Sequence, residues 1–66
     1  MTESQAYRCA SKCARLAKNW RYVVQDRDEF GDIAYAVASD FDLETFYAGA
    51  SVVASFGPDG QPEIDG

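Results

Sequence analysis

The hydrophobic period changes once along this chain, and that change dictates most of what it can fold into. Up to Ala17, small and apolar residues recur at helical spacing; from Trp20 onward they alternate. A chain that is first helical and then period-two must lay one helix on a sheet. The 66 residues allow one domain, and a chain of this size buries only about 60% of the surface its unfolded form exposes. Nine aromatic rings and 47% apolar residues supply a core, so the composition is that of a folded protein. Residues 1–66 are expected to form a single compact domain.

The first element opens with Thr2-Glu3-Ser4-Gln5, which has the form of a capping box. Ala6, Cys9, Ala10, Cys13, Leu16, Ala17 and Trp20 then share one helical face, and Arg8, Ser11, Lys12 and Arg15 share the opposite one. Asn19 is suited to a left-handed C-terminal position. On this pattern Cys9 and Cys13 are reduced, buried small residues. Two cysteines four apart do not make a disulfide scaffold, and with no histidine in the chain they do not make a zinc site.

Trp20 to Gln25 reads as a strand, with Trp20, Tyr22 and Val24 on one side. Asp26 to Asp32 reads as a polar turn in which Gly31 takes a positive φ. Ile33 to Ala38 alternates large and small residues and should pair with the first strand as a hairpin, its small side against the helix. Ser39 to Asp42 offers capping oxygens to a short helix over Leu43 to Ala48, ended by Gly49. Ala50 to Phe56 reads as a third strand. Gly57-Pro58-Asp59-Gly60 is a turn, and Pro62 confines anything that follows to a sheet edge. The expected fold class is α+β: an N-terminal amphipathic helix on a small three-stranded antiparallel sheet, in the order α-β-β-α-β.

Charge is segregated along the chain. Residues 1–25 carry five bases against one acid, a net +4; residues 26–66 carry ten acids against Arg27, a net −9. Such asymmetry bears on partners rather than on fold. The start of the chain lacks a charged segment followed by an apolar one, and no apolar run approaches the ~20 residues a membrane span needs, so a cytoplasmic protein is expected.

Several chemistries fail on their own requirements. Asp26-x-Asp28-x-Phe30-Gly31 has the outline of a calcium loop, but Phe30 and Val37 stand where oxygen ligands belong. Nucleophilic catalysis would need a base beside Cys9 or Cys13, and the chain offers no histidine. Carboxylate acid–base chemistry needs a cavity that raises one pKa, for which a domain this small has little room. Binding of nucleic acid through Arg8, Lys12, Arg15 and Lys18 is opposed by the −9 of the remaining chain. No enzyme activity, cofactor or metal is therefore expected.

The acids make a more specific pattern. Asp26, Asp28, Glu29 and Asp32 occupy one turn; Asp40, Asp42 and Glu44 begin the next helix. Acids two apart in extended chain lie ~6.6 Å from each other. Asp40 and Glu44 in a helical turn lie ~5–6 Å apart at Cβ. Both spacings match successive phosphates of a nucleic-acid strand. Such a row on a rigid domain suits a basic groove meant for DNA, with long-range attraction speeding encounter.

A short acidic domain without catalytic groups, carrying the Cys9/Cys13 helix, the Asp26–Asp32 turn and the Asp40-Phe41-Asp42-Leu43-Glu44 segment, resembles the small phage-encoded inhibitors of bacterial defence. In type it is similar to the anti-CRISPR proteins directed at type I systems, type I-C among them. That resemblance implies a monomer in the infected host's cytoplasm that binds the Cascade surveillance complex, at its DNA-recognising large subunit, without touching nucleic acid or membrane. It supplies no contact residues. The five N-terminal bases depart from a uniformly acidic mimic and imply a one-sided surface. The rival expectation is an antitoxin-like or structural module that binds through Phe30, Phe41 or Tyr47.

Overall fold

The computed structural model describes residues 2–63, and its element order is α1 (Glu3–Ala17), β1 (Arg21–Arg27), β2 (Ile33–Ala38), α2 (Asp40–Glu44) and β3 (Ser51–Phe56). The α+β architecture read from the sequence is the one found: α1 lies on a three-stranded antiparallel sheet, and a short second helix separates β2 from β3. The strands run in the spatial order β2-β1-β3. Both outer strands are antiparallel to β1 and thus parallel to each other, so the chain between them must cross β1.

The helix starts where the capping box puts it. Thr2 Oγ1 accepts from the Gln5 backbone N–H at 3.2 Å, and the Thr2 N–H donates to Gln5 Oε1 at 3.0 Å. Its buried face, however, is turned from the expected one. Ala6, Ala10 and Ala14 are fully buried, whereas Cys9, Cys13 and Ala17 are exposed and Leu16 is 71% exposed. An unbroken i, i+4, i+8 ladder of alanines lets the helix backbone settle close on the sheet; the stripe through Cys9, Cys13 and Leu16 would hold it off. Tyr7 flanks that ladder, its ring edge-on to Phe56 with centroids 6.0 Å apart. The helix ends at Lys18, whose φ of 52° and ψ of 43° give the left-handed cap expected of Asn19. Asn19 instead accepts from the Trp20 N–H through Oδ1.

The sheet face under α1 also differs from the one expected. Val23, Tyr35, Val37, Ala54 and Phe56 pack against the alanines, so the large side of β2 takes the helix. Small meets large here because the helix has already contributed only methyl groups, and close packing needs volume from the sheet. Tyr22, Val24, Ala36 and Ala38 alternate to the other face, where Val24 and Ala38 are fully buried. The second helix packs against β2, and the Tyr22 hydroxyl donates to Asp40 at 2.7 Å. The crossover over residues 39–50 thus serves the face opposite α1.

Boundaries shift for local reasons. β1 runs on through Asp26 and Arg27, which the sequence reading placed in the turn, because they pair with Ala34 and Ile33. The second helix begins at Asp40, three residues before its expected start, and is spent by Glu44. Ser39 and Asp42 close a second capping box that fixes the earlier start. Thr45, Phe46 and Tyr47 are weak helix formers, and the Tyr47 N–H returns to the Asp42 carbonyl at 2.9 Å. In β3 the register slips by one residue opposite Val23 and Val24, leaving Val53 as a bulge.

The Gly57–Gly60 turn forms as expected, with the Gly60 N–H on the Gly57 carbonyl at 2.8 Å. It folds back onto α1, where Ser11 Oγ donates to the Gly60 carbonyl at 2.6 Å. Pro62 bridges to Phe56 at the free edge of β3, and the Glu63 N–H donates to the Ser55 carbonyl. The expected edge position of the tail holds as far as Glu63; residues 64–66 lie outside the described residues.

Candidate acidic interface

The seven acids singled out from the sequence divide into two groups. Asp26, Asp28, Glu29 and Asp32 stand at the β1–β2 end of the sheet, Asp26 as the penultimate residue of β1 and the other three in the connection. Asp40, Asp42 and Glu44 all belong to α2, at the opposite end of β2. Asp26 shares the face of Tyr22, the residue that holds Asp40. Four strand positions separate the two, so the groups lie about 13 Å apart along the sheet.

Not all seven carboxylates face outward with equal freedom. Asp28 Oδ1 accepts from the backbone N–H groups of Phe30 and Asp32, both at 2.9 Å, and so builds the turn. Gly31 completes that turn at φ +83°, where an L side chain would be strained, and its carbonyl accepts from the Arg27 guanidinium at 2.7 Å. Asp42 Oδ2 accepts from the Ser39 N–H at 3.1 Å as half of the capping box. Asp26 Oδ1 accepts from the Arg27 N–H, and Asp40 from Tyr22. Glu29, Asp32 and Glu44 are exposed and, among the described residues, their side chains enter no hydrogen bond. Asp28 and Asp42 therefore serve the fold first.

The tyrosine between β1 and α2 reports the local field. Its hydroxyl is pushed above the ordinary value of 10.0 chiefly because Asp40 accepts a hydrogen bond from the protonated phenol, with burial and the nearby charges of Asp40 and Glu63 adding to the shift. Glu63 thus joins Asp40 near this end of the sheet, and the sequence reading did not include it. The signal was present: a turn at Gly57–Gly60 followed by Pro62 returns the tail along β3. At the other face, Tyr35 is raised from 10.0 by the Glu3 carboxylate at the start of α1.

Three of the bases occupy a separate part of the surface, whereas Arg27 stands beside the acidic β1–β2 turn. Arg8, Lys12 and Arg15 are exposed along α1, the layer on the far side of the sheet from Tyr22 and α2. Aromatic rings are interleaved with the acids: Phe30 is 82%, Phe41 67% and Phe46 78% exposed, whereas Tyr47 is only partly so. Among the described residues no three histidine, cysteine or carboxylate side chains converge to hold a metal ion, and no helix is long and apolar enough to cross a membrane. No family model matches the chain, and neither a curated protein nor a solved structure is found similar to it.

Proposed function

We propose that this chain is a non-enzymatic inhibitor that occupies a basic DNA-binding surface of a bacterial type I CRISPR surveillance complex, presenting carboxylates where the complex expects phosphates. The carrying observation is the separation of charge across the sheet: Arg8, Lys12 and Arg15 on the outer side of α1, and Asp26 and Asp40 on the face away from it. A protein with acids on all sides would gain little from orientation. One with a basic and an acidic side is turned by a positive groove so that the acidic side enters first. Glu29, Asp32 and Glu44 are the acids free for such contacts; Asp40 adds charge while anchored by Tyr22.

The test reverses the free acids and leaves the structural ones intact. Glu29→Lys with Asp32→Lys and Glu44→Lys is expected to restore target-DNA binding by purified Cascade in the presence of the inhibitor. Full inhibition by a folded triple variant would reject this surface. Reversing Asp28 or Asp42 would confuse lost contacts with a lost turn or cap.

The exposure of Phe30, Phe41 and Phe46 favours a second reading, an interaction module whose rings enter apolar pockets of a protein partner. Salt separates the two: electrostatic mimicry weakens steeply as ionic strength rises, whereas an apolar interface does not.

A further inference from the structure

The rotation of α1 leaves two thiols on its outer surface. Cys9 and Cys13 are free and exposed, one helical turn apart on the same side. Their Cβ atoms are about 5–6 Å apart. A disulfide needs about 3.5–4.5 Å at Cβ, so the pair does not close on itself without distorting the helix. Two metal–sulfur bonds of about 2.3 Å each span up to about 4.6 Å when they point in opposite directions, which side chains on this spacing can reach by rotation about χ1. Helical Cα–Cβ bonds also tilt the same way, toward the N-terminus, so the two side chains leave the helix in parallel.

No third ligand is at hand. The chain has no histidine, and no triad of histidine, cysteine or carboxylate groups forms among the described residues. A tetrahedral zinc site needs four ligands, so the pair selects an ion content with two soft sulfurs. On the Cys9 side, Gln5, Arg8 and Lys12 share a surface depression with the thiol and bring two cationic groups close to it.

We propose that Cys9 and Cys13 form a two-thiolate site for Cu(I). Each thiol gives its proton to solvent, two Cu–S bonds form, and neither copper nor sulfur changes oxidation state. The bis-thiolate site carries one net negative charge, which Arg8 and Lys12 offset across the helix surface. Binding closes a clip over a single turn of α1 and leaves the alanine face untouched.

The experiment titrates the full chain anaerobically with Cu(I), supplied as its acetonitrile complex, against a chromophoric Cu(I) chelator. One ion per chain is expected, with the chain remaining monomeric. Loss of outer-shell partners alone costs 10–100-fold in metal affinity, so Cys9→Ser and Cys13→Ser, each removing a ligand, should weaken binding on the order of 100-fold or more. Excess Zn²⁺ should not displace the ion. A single variant that binds as tightly as the parent, one ion per sulfur, or one ion shared by two chains would each overturn the site. X-ray absorption on the loaded parent chain decides independently of any variant: two sulfur neighbours are expected, and a single sulfur refutes the proposal.

Discussion

Gly60 shows how much one position can hold together. It sits at φ +80°, and a Cβ there would lie 3.1 Å from the Ser11 carbonyl oxygen and 3.2 Å from Arg15 Cβ. Left-handed backbone costs an L-residue about 1–2 kcal/mol, and the contact with helix backbone cannot be relieved by turning a flexible side chain. Gly60→Ala is therefore expected to destabilise by about 2–3 kcal/mol, lowering the thermal midpoint by roughly 10 °C or more. Thermal unfolding followed by circular dichroism measures it; an unchanged midpoint would mean the turn does not bear on α1. Tyr22 makes a prediction in pH. Its proton is held more tightly in the folded state than the ordinary 10.0, so the folded form binds more protons there. The stabilisation is fully present below pH 10 and fades as pH climbs from 10 through the raised value. Tyr22→Phe should flatten that alkaline loss in denaturant midpoints taken from pH 8 to 11. An identical slope in the variant would assign the loss to other groups.

At the scale of elements, the period of each segment was readable and its phase was not. The switch from helical to alternating spacing near Trp20 located α1 and all three strands, and Pro58 with Gly60 marked the last turn. Two apolar stripes overlap on α1, however, and hydrophobicity alone favours the one through Cys9, Cys13 and Leu16. The alanine ladder wins because a helix lying on a sheet is selected by closeness of approach, a property of side-chain volume in both layers at once. The same coupling put Tyr35 and Val37 rather than the alanines of β2 beneath it. Ala10→Leu tests the point: overpacking a filled site costs typically 1–3 kcal/mol, while Cys9→Leu on the exposed side should leave urea midpoints nearly unchanged. Comparable losses from both would mean the helix can rotate. The start of α2 was misplaced because Ser39 and Asp42 act as a reciprocal cap, whereas several nearby oxygens looked equally able to do so.

For the whole molecule, the acids were legible as composition and only partly as surface. Nothing in the sequence distinguished Asp28 and Asp42, consumed by a turn and a cap, from Glu29, Asp32 and Glu44, which are not. Nor did linear order reveal that Asp26 lies on a strand facing away from the helix bases. The separation of charge predicts that association with a basic target slows by more than tenfold between 50 and 500 mM salt while dissociation changes less, because long-range attraction acts on encounter and is screened within ~10 Å at 0.1 M. Surface plasmon resonance across a salt series gives both rates; salt-independent association would favour the aromatic interface.

The position of β1 in the middle of the sheet has a consequence for synthesis. Its first neighbour is emitted within a few residues, but its second arrives only after the crossover of residues 39–50. Until β3 leaves the ribosome, one flank of the central strand stands open with its amides and carbonyls unsatisfied. Released chains truncated near residue 50 should therefore be the adhesive ones, prone to pair with one another, whereas chains that include Phe56 are sealed.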